Sequence, residues 1–306
     1  MTTTAIQTRG LTRRYSGGIA LDDVTLDIQA NVITGLLGRN GAGKTTLMAL
    51  ITAQDRPGSG TIRVAGHEPF ENAAAIEQMC FVRDNQRYPD DYKLKHAIRA
   101  AAVFYPNWSQ EVADRLIARF RIPTKPVVKK FSRGQLSALG IVLGLASRAP
   151  ITFFDEPYLG LDATARGVFY DELLHDYAEH PRTIVLSTHL IDEMDRLLER
   201  VIILEQGRVV QHADVEALRG GAHQIAGKAG ALEQYLDGRD VLSRRGLGGL
   251  ASAVVNGAPA AADRTLAAEL GLEMSSVSLQ ELVAAYGFDH AAAEASESVS
   301  QERRAA

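Results

Sequence analysis

Gly38-Arg39-Asn40-Gly41-Ala42-Gly43-Lys44-Thr45 follows the spacing G-x-x-x-x-G-K-[ST], and Thr46 comes next. The segment stands between an apolar run, residues 32–37, that reads as a strand and a stretch to about Ile51 that reads as a helix. That is the setting in which this spacing binds phosphate. Glycines let the backbone curl until successive N–H groups point inward at phosphate oxygens, and the positive end of the helix dipole adds to the attraction. Lys44 then reaches the β- and γ-phosphates of a nucleoside triphosphate, and the Thr45 hydroxyl becomes a ligand for Mg²⁺. The bland alternative is a plain glycine-rich turn. With glycine at about 7% of average sequences, chance seldom delivers the whole spacing between a strand and a helix.

Ile151-Thr152-Phe153-Phe154-Asp155-Glu156-Pro157 supplies the second half of such a site. An apolar strand ending in a carboxylate puts Asp155 at the carboxyl edge of a parallel sheet, where the ligands of such sheets bind. Asp155 there holds Mg²⁺ through water, and Glu156 orients and polarises the attacking water. On its own the pattern is common and structural. Beside the phosphate loop it reads as hydrolytic machinery.

These two motifs would also fit a kinase, a GTPase or a helicase. Three further segments separate the possibilities: Phe131-Ser132-Arg133-Gly134-Gln135, Leu159-Gly160-Leu161-Asp162 and Ser187-Thr188-His189. Ser132-x-x-Gln135 is by itself also a capping box for a helix. In their order and spacing, however, all five segments resemble the ABC ATPase family, whose signature is usually Leu-Ser-Gly-Gly-Gln. The resemblance covers roughly residues 5–215.

The resemblance implies two subunits facing head to tail, each ATP held between one phosphate loop and the other subunit's signature. Ser132 and the backbone at Gly134, within the Ser132-Arg133-Gly134-Gln135 signature, would contact the γ-phosphate on the facing subunit. His189 would contact the γ-phosphate of its own site and line up the water. Asp162 would cap the following helix and sit at the dimer interface, and Tyr15 would stack on adenine. There are three departures. Arg133 replaces the usual Gly. Asp84 falls where the family places a metal-linked Gln, with Gln86 two residues later, and the choice between the two stays open. Tyr158 stands where a small Thr or Ser is frequent.

The elements that must position these residues follow from pattern and punctuation. Residues 5–30 read as short strands, 61–65 and 79–83 as further strands, and 68–130 as mostly helical. From Ser132 helices at 133–147, 163–179 and near 190–198 alternate with strands at 151–155, 183–187 and 201–204, which implies a parallel sheet between helices. A helix near 213–219 follows, and 220–260 is Gly- and Ala-rich with weak periodicity. The pattern gives an α/β fold, and the resemblance implies an ABC-type P-loop NTPase core with a mixed or parallel sheet sandwiched by helices, an N-terminal antiparallel β subdomain and a helical subdomain. The ATP-binding domain spans 1–219, with its helical subdomain at about 85–148. A small C-terminal α+β appendage follows at 220–287, and 288–306 reads as a disordered tail for want of bulky apolar residues. With no internal repeat, the chain carries one nucleotide-binding unit.

Composition narrows the partners. At 306 residues and a net charge of −4, the chain lacks the basic footprint of a nucleic-acid binder. Cys80 is the only cysteine, so neither an intrachain disulfide nor a cysteine-rich metal site is expected, and it reads as a small buried hydrophobe. The first residues show no basic-then-apolar secretory pattern, and the most apolar windows fall short of the ~20 residues that span a bilayer. A cytoplasmic protein held at the inner face of the membrane by a partner is expected.

The resemblance implies ATP and Mg²⁺ as cofactors, a transmembrane permease as partner, and a second ATP-binding subunit, identical or different. Residues 94–150, with Tyr105-Pro106-Asn107-Trp108, resemble bacterial subunits paired with small export-type permeases, so export is expected. The alternative is a soluble ABC ATPase acting on the ribosome or DNA. Ribosome-acting members carry two ATPase units and DNA-repair members a long coiled-coil insertion, and this chain has neither.

Overall fold

A computed structural model describes residues 3–84 and 86–287. The tail expected at 288–306 lies outside the described residues. β1 (Thr4–Tyr15) and β2 (Gly18–Gln29) form an antiparallel hairpin closed by the pair Tyr15 and Gly18. In β2, Val24, Leu26 and Ile28 are buried and the residues between them exposed, so one face packs inward and the other meets solvent. β3 (Ile33–Leu37) follows, then the loop at 38–43, α1 (Lys44–Ile51) and β4 (Ser59–Val64), which joins the hairpin in the order β2-β1-β4.

After α2 (Ala73–Ile76) and β5 (Met79–Val82), the chain enters the helical segment: α3 (Leu94–Phe104), α4 (Gln110–Arg119), a short turn Val128–Lys130, and α5 (Arg133–Ser147). β6 (Ile151–Asp155), α6 (Ala163–Glu179), β7 (Thr183–Ser187), α7 (Ile191–Met194), β8 (Arg200–Glu205) and β9 (Arg208–Asp214) complete a six-stranded sheet ordered β5-β6-β7-β3-β8-β9. The first five strands of that order run parallel, and β9 turns back antiparallel on β8. β3, β6 and β7 are buried along their whole length, as expected when both sheet faces are covered.

Side chains on a strand alternate between faces, and here they feed two cores. Leu37, Phe154, Ile184 and Leu186 join the core under α5 and α6. Leu36, Phe153 and Val185 join the core shared with α1 and the antiparallel sheet. The sheet is thus a wall between two apolar layers, and its carboxyl edge collects the polar residues.

α8 (Val215–Gly220) leads into a four-stranded antiparallel sheet made of β10 (Ala222–Lys228), β11 (Val241–Leu247), β12 (Leu250–Asn256) and β13 (Glu273–Ser276), ordered β11-β12-β10-β13. One set of its residues, with Leu232 and Tyr235 of α9 (Ala229–Leu236) and Ala267 of α10 (Ala261–Glu269), forms a third core. Leu242, Val254 and the helix at 279–287 pack against the main core. That helix bonds back through Tyr286 and Gln211, 3.2 Å apart, and its Gly287 lies against the side chains of Glu205 and Arg39.

The structure corrects several readings. The helix read near 213–219 begins only at Val215, and residues 208–214 are strand β9. The stretch 220–260, read as weakly patterned, holds three strands and a helix. The helix read at 190–198 is the single turn α7, and the strands of 5–30 are long rather than short. Among the described residues, no helix is long and apolar enough to cross a membrane.

Candidate active site

The phosphate loop leaves β3 at Leu37 and turns into α1 through Gly43, which is left-handed at φ 105°. A Cβ there would stand 2.6 Å from the Ala20 carbonyl oxygen, so only glycine lets β2 press this close to the turn. No side chain caps α1, and its first-turn N–H groups face the loop. Lys44 folds over the loop and donates to the carbonyls of Gly38 (2.8 Å) and Arg39 (3.1 Å). Burial pulls its pKa below the usual lysine value, against the opposing pull of Glu156, Asp155 and Glu205.

Across the sheet edge, the Thr45 hydroxyl donates to Asp155 Oδ2 at 2.8 Å and Ser187 Oγ donates to Oδ1 at 2.7 Å. The Glu156 N–H in turn donates to Ser187 Oγ at 3.0 Å. Parallel pairing explains the convergence: Asp155 at the end of β6 lies in register with Ser187 at the end of β7. Thr45 and Asp155 form an oxygen-only pair, the donor type a hard cation such as Mg²⁺ takes. Among the described residues, no cluster of three or more His, Cys, Asp or Glu makes a metal cage from protein alone. A Mg²⁺ at this pair therefore needs phosphate oxygens and water to complete its shell.

Glu156 occupies the left-handed region at φ 51°, rare for a residue with a side chain. Such a conformation costs on the order of 1–3 kcal/mol and persists where the surroundings over-determine it. The carboxylate lies between two partners: Oε1 is 4.0 Å from Lys44 Nζ, and Oε2 is 2.5 Å from His189 Nδ1. Tyr158, 2% exposed, adds a third, its hydroxyl donating to Glu156 Oε2 at 2.7 Å. Asn40, Gly41, Gly43, Lys44, Thr45, Thr46, Glu156 and His189, together with Ala20, Arg133 and Leu159, line one cleft of about 430 Å³.

The signature segment caps α5. Ser132 Oγ accepts from the Gln135 N–H at 3.2 Å, and Gln135 Oε1 accepts from the Ser132 N–H at 3.0 Å. Arg133 and Asp84, two of the three departures from the family pattern, meet: the guanidinium donates to the carboxylate at 2.9 and 3.1 Å. Gln86 is exposed. Gly134 packs against Gly160 so closely that a Cβ on Gly134 would stand 2.4 Å from the Gly160 carbonyl oxygen. Ser137 Oγ ties the same turn by donating to the Leu159 carbonyl at 2.6 Å. Asp162 caps α6, accepting from the Ala165 N–H at 2.8 Å.

Tyr15 does not line the cleft. Its hydroxyl donates to Asp55 at 2.6 Å, and Arg13 covers its ring at 4.7 Å, leaving it 46% exposed. Cys80 is buried, and burial pushes its thiol pKa up. Two features escaped the sequence reading, the Tyr158 hydroxyl and the Arg133–Asp84 pair. All three residues had stood out there as departures, which was the only signal available.

Residues 21–159 match the family model described as "ABC transporter". A Bacillus subtilis protein described as "Uncharacterized ABC transporter ATP-binding protein YcbN" is 31% identical over 226 residues, 70% of this chain and 71% of that protein. The Nod factor export ATP-binding protein I of Cupriavidus metallidurans is 28% identical over 215 residues, 68% of this chain and 70% of that protein. Among solved structures, an ATP-binding subunit of an ABC transporter superposes with a TM-score of 0.63 at 26% identity, covering 71% of this chain and 92% of that one.

Proposed function

The chain belongs to the family of ABC transporter ATP-binding proteins, and from that membership we propose that it is a motor driving a separate membrane permease in the export direction through ATP-dependent dimerisation. The ATPase activity is that of the family. Export is favoured by the Nod factor export relative. The observation that carries the reading is one cleft lined by Lys44, Thr45, Glu156 and His189, with the buried Asp155 bonded to Thr45 behind it.

Roles follow from that geometry. Residues 38–46 cradle the phosphates, and Lys44 exchanges its two loop carbonyls for phosphate oxygens, a gain for a buried ammonium. Thr45 and Asp155 would hold Mg²⁺, with Asp84 or Gln86 as a further contact, and a cation there would supply charge neutralisation for the β- and γ-phosphate oxygens. Glu156 orients and polarises the attacking water, and His189 contacts the γ-phosphate and lines up that water. Tyr15 stacks on adenine. Ser132, Arg133, Gly134 and Gln135 face the ATP of a second subunit, and Asp162 lies at that interface.

Residues 1–219 then form the ATP-binding domain, with the helical subdomain at about 85–148 docking on the permease, and 220–287 form the appendage. The permease would hold the chain at the inner face of the membrane. The test is co-expression of the full chain with a candidate export-type permease from the same genome. Copurification and stimulated ATP turnover are the expected result. Absence of both, with stimulation by ribosomes or DNA instead, would overturn the reading.

A further inference from the structure

The Tyr158 hydroxyl is a junction of four groups. It accepts from Thr188 Oγ1 and from the His189 N–H, each at 2.9 Å, and donates to Glu156 Oε2 at 2.7 Å. It also lies 3.2 Å from His189 Nδ1. A neutral phenol has one proton and two lone pairs. The backbone N–H can only donate. Thr188 Oγ1 already accepts from the Leu190 N–H at 2.8 Å, and it donates its own proton to the phenol. Both lone pairs are therefore used, and the single proton goes to the carboxylate.

That accounting decides the imidazole as well. With the phenol proton committed, the 2.5 Å contact between His189 Nδ1 and Glu156 Oε2 requires Nδ1 to carry hydrogen. Two donors converge on Oε2, and Oε1 remains on the Lys44 side of the cleft. The phenol ring packs edge-on to the imidazole at 5.6 Å and is itself buried, so the junction has little freedom to shift. The Thr or Ser frequent at this position in the family lacks the six ring carbons that carry the hydroxyl to Glu156.

We infer that Tyr158 is a positioning residue for hydrolysis, its hydroxyl locking Glu156 Oε2 and the Nδ1-protonated form of His189 so that Oε1 is the oxygen presented to water. The inference rests on the roles proposed above for Glu156 and His189. Misplacing a catalytic group by about 1 Å can cost on the order of 100-fold in rate.

The test is Tyr158→Phe in the full chain, which keeps the ring and its packing and removes only the hydroxyl. Expected are a fall in kcat of about 10- to 100-fold and a KM for ATP unchanged within about two-fold, since no phosphate contact is lost. The Mg²⁺–ATP-bound dimer, measured by size-exclusion chromatography, should rise above wild type, because slowed hydrolysis preserves it. Mere loosening of the fold would instead raise KM and deplete the dimer, and that result overturns the inference. So does wild-type kcat in Tyr158→Phe while Glu156→Gln collapses turnover. Wild-type kcat in Glu156→Gln would refute the role of Glu156 itself, and the inference with it.

Discussion

Gly134→Ala sets two effects of opposite sign against each other. Gly134 lies in the first turn of α5, where alanine is the better helix former by about 0.5–1 kcal/mol. The new methyl would stand 2.4 Å from the Gly160 carbonyl oxygen and 3.2 Å from its carbonyl carbon. Neither atom belongs to a flexible side chain. Gly160 is left-handed at φ 82°, and its turn is pinned by the Ser137 bond to Leu159. Relief therefore requires backbone movement, and forcing a methylene into packed structure costs about 1–3 kcal/mol. The clash wins, for a net loss of about 1–2 kcal/mol. Urea denaturation followed by circular dichroism should show a lower midpoint with an unchanged slope, and ATP turnover should fall because the turn carrying residues 159–162 shifts. A midpoint equal to or above wild type, with normal turnover, would refute the close approach of signature and turn.

Glu156→Gln should retain ATP, trap a dimer and lose turnover by at least about 100-fold, whereas Lys44→Ala should lose ATP affinity; isothermal titration and turnover assays separate the two. Lys44 also gives a pH signature in the nucleotide-free chain. Its folded pKa lies below the ordinary lysine value, so between that lowered pKa and about 10.4 the folded state binds fewer protons than the unfolded one. Stability then rises with pH through this window, and Lys44→Met should abolish the rise in denaturation midpoints measured across it. Glu172, 4% exposed, accepts from Arg115 and Arg119 of α4 at 3.1 and 2.6 Å. Glu172→Gln should destabilise by about 1–3 kcal/mol, towards the low end because both arginines are part exposed. Arg133 is exposed and Asp84 half-buried, so Arg133→Gly should change stability by less than about 1 kcal/mol, less still at high salt.

What the sequence disclosed, and what it hid, follows the range of the interactions. Residues 33–37, 151–155 and 183–187 are apolar runs buried on both faces, and that burial is written in the runs themselves. The phosphate loop was legible because its geometry comes from neighbouring glycines. β9 is half-buried along most of its length, so it carries no clean alternation. β10 and β12 pack small residues such as Ala226, Gly227, Ala251 and Ala253, whose hydrophobic signal is faint. The Tyr158 junction draws Thr188 and His189 from about thirty residues away, and Arg133 meets Asp84 across forty-nine. Nothing local announces either partnership.

The close seating of Gly134 on Gly160 has a consequence beyond stability. In the proposed dimer Glu156 attends the chain's own ATP, whereas Ser132 and Gly134 attend the neighbour's. Between them run Tyr158, whose hydroxyl holds Glu156, and Leu159 and Gly160, whose carbonyls meet Ser137 and Gly134. A change at one γ-phosphate thus has a short, stiff route to the surface gripping the other. Because such coupling is reciprocal by thermodynamic necessity, the two nucleotides would sense each other equally, and the dimer would open and close as one cooperative unit rather than as two independent clasps.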